Sequence, residues 1–560
     1  MTLKHTKARP ISNCTRLSIY HRLRGGLAAL FAVLAFPLTA GAAPAVPQPG
    51  EEIRQPPEQG ETDIRSDLPE AGETQGEGTK FTLSGIRVEH EGMKLSEEGL
   101  SAITSPLLGR EITASELNAA VEQLTQYARK NYPAAIAYIP EQTAREGKLL
   151  IRFEPGRFDK VQIEEGSVLK ESVAHRPLAG LRKGGIIEAG SLEESLRNLR
   201  DIPGIAANAV LSPGSEQGTS NLTVKISDMH PATYILYAEN YGSRAAGRYR
   251  YGFQADWKNL GGTGSRLMAG GLISNGKQHG GNLAYEIPVG HSSTTLGLAY
   301  SHSDYELGSI WSQLGVEGKS DTLSLYGRTP LVSRYKNALN LSYAVNYRKL
   351  KDEFNGLDIG DRHSASFSLG LEGTLRSDRN VLHYNAAFHT GTVTPEAEFS
   401  RALADLNGTK GSFAKGTLDL TAVQQLGGPF DALLKISGQL ASSNLDSSEH
   451  IYLGGARGVR AYPQGEVSGD EGILGTLELR YHTKLPGLSL SLFYDAGTVH
   501  LEKSRSGSQS LQGWGVGLSY AKPNDWFARL DYARRIGLED GLSSDADSRQ
   551  RIWFLLGKVF

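Results

Sequence analysis

From Thr233 to Phe560 apolar and polar residues alternate with a period of two, the mark of strands with two unlike faces. In RYRYGFQADW, Tyr249, Tyr251, Phe253, Ala255 and Trp257 share one face, and Arg248, Arg250, Gln254 and Asp256 the other. In NALNLSYAVNYR, Leu339, Leu341, Tyr343, Val345 and Tyr347 oppose Asn340, Ser342, Asn346 and Arg348. In SASFSLGLEG, Ala365, Phe367, Leu369 and Leu371 oppose Ser364, Ser366, Ser368 and Glu372. About sixteen such segments begin near residues 233, 247, 264, 279, 293, 316, 336, 360, 378, 411, 430, 472, 488, 509, 525 and 549, most near the length that a tilted strand needs to cross a bilayer. A soluble sheet would need a second layer over its apolar face, and no helical pattern follows to supply one. Lipid is the simpler partner, so the predicted fold is a transmembrane β-barrel of about 16 antiparallel strands. Its connections sort by parity. One set is short (NLGGTG, GHS, SDR, GGP, LPG, KPND) and the other includes polar loops near 302–315, 393–410, 444–471 and 537–548. Short turns face the periplasm in such barrels, which puts the N-terminal region there.

Ahead of the barrel the pattern changes twice over. FTLSGIRVEH reads as a strand and Ser96 to Ile103 as a short helix. Thr113-Ala-Ser-Glu116 is a capping box opening a helix with Leu117, Val121, Leu124 and Ala128 on one face, and the strands AAIAYIP and KLLIRFEPG follow. The order then returns: FDKVQIEEG, a helical VLKESVAHRPLAGL, a helix capped by Ser191-Leu-Glu-Glu194 that presents Leu192, Leu196 and Leu199, and the strands AANAVLSPG and SNLTVKISD. Leu117, Val121 and Leu124 map onto Leu192, Leu196 and Leu199 at one constant offset, an internal duplication of a small α+β module. Before the modules, Pro44 to about Gly78 is rich in Pro, Glu, Gln, Gly and Thr without aromatics and reads as a disordered linker. Before that, Arg16, Arg22 and Arg24 precede an apolar run from Leu27 to Leu38 and the small residues Ala40-Gly41-Ala42, which form a signal peptide cleaved near Ala42 or Ala43.

Composition narrows the chemistry. Lys plus Arg number 59 against 61 Asp plus Glu, so no net field recruits nucleic acid. Cys14, the only cysteine, lies in the segment to be removed, leaving no disulfide, thiol nucleophile or thiolate ligand. The histidines lack zinc-site spacing, and neither a G-x-S-x-G elbow nor a phosphate-binding G-x-x-x-x-G-K-[ST] loop occurs. Neither catalysis, a cofactor nor a metal is expected. Gly513, Gly515 and Gly517 alternate with Trp514, Val516 and Leu518 and read as small lumen-facing positions in a strand.

The longest loop holds the candidate machinery. Its Gly-rich turn carries Val459, Arg460, Ala461, Tyr462 and Pro463. Alternation in SLSLFYDAGTVH sends Leu490, Leu492 and Tyr494 outward and Phe493, Asp495 and Gly497 inward. In GILGTLELRYH it sends Glu478 and Arg480 inward. A loop folded back into the lumen could pair Arg460 with Asp495, since a buried arginine is tolerable only with such a partner. Terminal Phe560 ends the last strand, as an assembly signal would.

With these motifs in this order, residues 81–560 resemble the two-partner secretion transporters, the TpsB class of ShlB/FhaC/HecB haemolysin secretion and activation type, which are relatives of the barrel-assembly insertase. The resemblance is carried by IPGIAANAVLSPG in the second module, by AENYGSRAAGRYRYGFQADWKNLGG at the start of the barrel, by GVRAYPQGEVSGDEG, and by the F-x-D-x-G pattern at Phe493-Tyr-Asp-Ala-Gly497. It implies that the loop tip engages the F-x-D-x-G wall through Arg460 and Asp495. Ala461 stands where the family signature most often has glycine. Taken together, these readings divide the chain into a signal peptide (1–43), a linker with a candidate plug segment (44–79), POTRA-like modules at 80–156 and 157–230, and the barrel (231–560) with its inward-folding loop at 444–471. The family commonly plugs its pore with an N-terminal helix; residues 51–70 are the candidates, and Pro56, Pro57 and Gly60 make them poor helix formers. The implied partners are an unfolded secreted exoprotein, outer-membrane lipid, and the periplasmic chaperones and barrel-assembly machinery that insert the protein itself. An insertase that folds other barrels and a diffusion porin are the alternatives. Two modules are fewer than insertases usually carry, and a plain porin has no use for them.

Overall fold

The two-residue period closes on itself, since strands with an apolar outer face and a polar inner one lose their edges only as a cylinder. The computed structural model describes residues 64–66, 80–142, 147–164, 166–290, 293–308, 315–503, 505–537 and 542–560. The expected signal peptide and most of the expected linker and plug segment lie outside these residues. Three residues of the plug candidate are described, Ile64–Ser66, and they form a strand.

In chain order the N-terminal strands are β1 (Ile64–Ser66), β2 (Lys80–Thr82), β3 (Gly85–Glu89), β4 (Glu111–Thr113), β5 (Ile136–Tyr138), β6 (Lys148–Glu154), β7 (Arg157–Glu164), β8 (Ile205–Pro213) and β9 (Thr219–Asp228). The first module packs the helices Glu97–Thr104 and Ala114–Arg129 on the sheet β3-β6-β5, with a small β2-β4 pair beside it. The capping box forms as read: Glu116 N–H donates to Thr113 Oγ1 at 3.2 Å, and Thr113 N–H to Glu116 Oε2 at 2.9 Å. The second module packs Glu171–Leu178 and Ala189–Arg200 on the sheet β1-β8-β9-β7. Leu192, Leu196 and Leu199 are fully buried, each stabilising the module by roughly 2 kcal/mol. Ser191 is not the cap of their helix. The helix opens earlier, at Ala189, whose N–H finds the Asn131 carbonyl of the first module at 2.8 Å, a tertiary contact that overrides the local signal.

The barrel strands are β10 (Ala232–Glu239), β11 (Arg250–Lys258), β12 (Arg266–Ser274), β13 (Lys277–Val289), β14 (Thr294–Glu306), β15 (Val316–Ser333), β16 (Asn337–Phe354), the two-residue β17 (Leu357–Asp358), β18 (Arg362–Arg376), β19 (Asn380–Pro395), β20 (Gly411–Gly427) and β21 (Phe430–Ala441). They continue through the short β22 (Ile451–Tyr452) and β23 (Ser468–Gly469) of the long loop to β24 (Glu471–His482), β25 (Leu488–Glu502), β26 (Arg505–Ala521), β27 (Trp526–Arg535) and β28 (Gln550–Val559). Setting aside β17, β22 and β23, sixteen antiparallel strands close the barrel, as expected from the pattern. Tyr251, Phe253, Val345, Tyr347, Phe367, Leu369, Leu490 and Leu492 point outward and exposed, while Ser342, Ser364, Ser368 and Asp495 are buried inside. The seam joins β10 to β28 from Ile235–Val559 to Glu239–Leu555, and Phe560 extends it by trading backbone hydrogen bonds with Tyr234 at 2.9 and 3.2 Å.

The second module sits against the short-turn end. Lys170 N–H donates to the Gly262 carbonyl at 2.9 Å, Tyr335 N–H to Glu193 Oε1 at 2.8 Å, and Ser293 Oγ to the Asn198 carbonyl at 2.8 Å. Residues 393–410, read as a polar loop, contain the helix Glu398–Asn407, which ends at Gly408 in the left-handed conformation.

Candidate functional site

The loop between β21 and β24 does not stand outside the barrel. Its stem is the β22-β23 hairpin, and its tip lies packed in the lumen with Leu453, Val459, Ala461 and Tyr462 wholly buried beside Phe493, Leu511 and Ala533. A hydrophobic tip in a polar lumen needs this contact, because the strands around it otherwise present serine, glycine and charge. Gly497 leaves room for Leu453, since a Cβ there would come within 2.8 Å of the Leu453 Cδ2.

Arg460, 4% exposed, carries the tip's positive charge onto an acidic wall. Its Nε and Nη2 meet Asp495 Oδ2 and Oδ1, both at 2.9 Å, the two parallel bonds of a guanidinium–carboxylate fork. Its own backbone N–H also donates to Asp495, at 3.1 Å, and Nη1 reaches Glu478 Oε2 at 3.2 Å and Asp531 Oδ2 at 3.5 Å. The guanidinium lies over the Phe493 ring, 3.2 Å from its centroid. Thr476 Oγ1 donates to Asp495 Oδ1 at 2.9 Å, and Trp553 Nε1 to the Arg460 carbonyl at 2.7 Å. A buried charge left alone costs several kcal/mol, so this site is held together by the completeness of its pairing.

The structure thus brings together Arg460, Asp495, Phe493 and Glu478. Arg480 also faces the lumen but is drawn to Asp431, which it shares with His482. Ala461 fits where a glycine is commoner because its backbone is not left-handed; the described non-glycine residues with positive φ are Asn259, Ser293, Asn355 and Asn524. Tyr462 lies under the Arg535 guanidinium, 4.9 Å from centroid to Cζ, and Pro463 is buried beyond it.

Three participants were not singled out from sequence. Arg529 bridges Asp531 (2.8 Å) and Glu478 (3.0 Å), so the wall carries three carboxylates and a resident arginine before Arg460 arrives. Trp553 completes the set. The signal for Arg529 and Asp531 was present, since WFARLDYARR alternates like its neighbours and sends both inward. Trp553 carried none, because its partner is a backbone carbonyl of a distant loop.

A family model described as haemolysin secretion/activation protein ShlB/FhaC/HecB matches residues 218–520, and one for the ShlB-type POTRA domain matches residues 81–156. The chain is 25% identical over 501 residues to the heme/hemopexin transporter protein HuxB of Haemophilus influenzae, covering 86% of this chain and 88% of that protein. It is 23% identical to the outer membrane transporter CdiB of Dickeya dadantii, covering 80% and 81%. Among solved structures, CdiB from Escherichia coli superposes with a TM-score of 0.71 at 19% identity, over 99% of this chain and 100% of that one, a likeness of fold.

Proposed function

The chain belongs to the haemolysin secretion/activation family ShlB/FhaC/HecB, and from that premise we propose how its barrel is opened and closed. It is an outer-membrane transporter of two-partner secretion with its N-terminal modules in the periplasm, and it moves a secreted partner protein to the cell surface. That assignment displaces the insertase and porin readings.

In the mechanism we propose, the modules at 80–156 and 157–230 capture the unfolded exoprotein by adding one of its strands to a sheet edge, where main-chain pairing tolerates varied sequence. The tip Val459–Pro463 is a latch. While Arg460 is forked onto Asp495 the lumen is blocked; when the tip is displaced the polypeptide passes, and folding outside favours onward movement. No bond is made or broken, and no cofactor is required. Glu478 shares the load, Phe493 supports the guanidinium, Gly497 admits the tip, and Phe560 serves in assembly, for which periplasmic chaperones, the barrel-assembly machinery and outer-membrane lipid are the partners. The observation that carries this reading is the two-bond Arg460–Asp495 contact between a mobile type of element, a loop, and a fixed one, a barrel strand.

The test compares secretion by Arg460→Ala, Asp495→Ala and the Arg460→Asp/Asp495→Arg swap at matched barrel levels. Both single variants are expected to secrete poorly and the swap to recover part of the loss. Normal secretion by both would refute the latch. The exoprotein itself is to be sought in the adjacent gene, where a very large exported protein with β-helical repeats is expected.

A further inference from the structure

The loop is held at a second place that shares no residue with the tip. Where it leaves β21, it runs past strands β16, β18 and β20, a different arc of the wall from the β24, β25 and β27 positions that hold Arg460. There Asp446 Oδ2 meets Arg362 Nε at 2.8 Å, and Arg362 Nη1 continues to Asp352 Oδ2 at 2.8 Å. Glu449 takes Arg348 on one oxygen at 3.2 Å and Lys415 Nζ on the other at 2.9 Å. The backbone is gripped as well. Lys415 and Gln439 both donate to the Glu449 carbonyl at 2.9 Å, and Arg348 donates to that of Ser448 at 3.3 Å. Asp352, Arg362, Lys415 and Glu449 are all buried.

The two limbs of the loop are also tied to each other here. Asp470, on the returning limb and 1% exposed, accepts from the Leu445 N–H at 2.9 Å and pairs with His450 at 3.1 Å, while its second oxygen accepts from Lys503 N–H at 2.7 Å. Gln439 donates to the Asp470 carbonyl at 2.9 Å. Between this stem and the tip the chain passes Gly455 (φ 126°) and Gly465 (φ 72°), left-handed positions that set the tip off from the hairpin.

Parting the tip from the wall separates one cation from an acidic cluster that keeps Arg529 as a resident counter-charge. Parting the stem would move two carboxylates, Asp446 and Glu449, away from the buried Arg362 and Lys415 and the half-buried Arg348, and would also break the bonds that Lys415, Gln439 and Arg348 make to the loop backbone. Two charged groups would leave their partners at the stem against one at the tip, and the chain between them is jointed.

We propose that the stem is a fixed anchor: the tip swings about Gly455 and Gly465 when Arg460 lets go, while Asp446 and Glu449 stay bound to Arg348, Arg362 and Lys415. Opening is then a hinged motion inside the barrel, and the loop is not expelled from it. This rests on the latch reading, and the test separates the two.

The experiment tethers each place in turn in the full-length mature chain, which has no cysteine once residues 1–43 are removed. Arg460→Cys/Asp495→Cys locks the tip and Asp446→Cys/Arg362→Cys locks the stem, each pair bridged with a bismaleimide before single-channel recording in planar bilayers. The stem-locked protein is expected to retain the openings of the parent, and the tip-locked protein to lose them. Openings that vanish on locking the stem overturn the anchor. Openings that persist on locking the tip overturn the latch itself. A second variant needs no tether: Asp446→Asn/Glu449→Gln, checked for a folded barrel by heat-modifiable migration, is expected to show new, larger conductance levels as the stem also leaves the lumen. Conductance levels identical to the parent's would equally overturn the anchor.

Discussion

Gly513 on β26 faces the loop tip, and adding one carbon there should loosen the latch without touching any charge. A Cβ built on Gly513 would lie 2.5 Å from the Ala461 Cβ and 3.1 Å from the Arg534 carbonyl oxygen. Unbonded carbons rest about 3.5–4.0 Å apart, so the tip must retreat by roughly an ångström. Neither neighbour can fold away, since one is a methyl on the backbone and the other is the backbone of β27. The retreat acts on the residue next to Arg460, whose fork on Asp495 depends on two bonds of 2.9 Å. Overpacking of this kind costs about 1–3 kcal/mol, which at about 1.4 kcal/mol per tenfold shifts the tip equilibrium outward by about fivefold to about a hundredfold. Single-channel recording of Gly513→Ala should therefore show more frequent openings. Ala461→Gly removes the opposing methyl, so the double variant should return toward the parent; the coupling, not either single effect, identifies the contact. If Gly513→Ala gates like the parent, or if Ala461→Gly does not relieve it, the packing argument fails.

Further outcomes follow from other parts of the chain. Trp553→Phe removes the donor to the Arg460 carbonyl and leaves a buried acceptor unmet, at a cost of about 1–3 kcal/mol, so openings should increase; unchanged gating would show that the indole contributes nothing to the latch. Leu192→Ala, at a fully buried position, should cost the second module about 2–5 kcal/mol and expose it to protease while the barrel keeps its heat-modifiable migration. Deleting Phe560 removes two backbone bonds at the seam and should lower the amount of assembled barrel in the outer membrane, an effect that normal barrel levels would disprove. Asp159 accepts from Ser215 Oγ at 2.7 Å and Ser215 N–H at 2.9 Å and pairs with Lys183 at 3.1 Å, and these bonds hold its carboxyl below the usual aspartate range. Because the folded-state pKa is depressed, its contribution is complete above the ordinary aspartate pKa and is lost as the pH falls below it. Asp159→Asn should therefore weaken the second module near neutral pH and flatten its acid sensitivity, read by protease resistance at neutral pH and pepsin resistance across the acidic range; an unaltered acid profile would count against the assignment.

The barrel was legible because its physics is local. Period-two alternation sets each strand's outward face whatever its neighbours do, so strands predicted near 316, 411, 430 and 488 begin at Val316, Gly411, Phe430 and Leu488. The same alternation turned Asp495 inward and made it a candidate partner for Arg460, while the engagement of the loop tip with that wall was implied by the family resemblance. What it could not supply depends on the path of the loop. Asp446 and Glu449 sit in a polar stretch whose sequence is the same whether it faces water or a ring of lumen cations, and Trp553 is one of two adjacent aromatics on β28 until the tip arrives. The helix Glu398–Asn407 was a different kind of miss. Its apolar Phe399, Leu403 and Leu406 recur at helical spacing and Gly408 supplies the stop, but the segment was read as a connection between strands.

The short strand β1 has a consequence for how the periplasmic part is put together. Ile64–Ser66 pairs in parallel with Ala209–Leu211, so a segment preceding the first module completes the sheet of the second. In topological terms the first module is an insertion, enclosed between two strands of its neighbour's sheet. It is joined to that neighbour by two chain crossings, one at each of its ends. During export the order is inverted as well, for the strand that emerges first must wait for one of the module's last before it can pair.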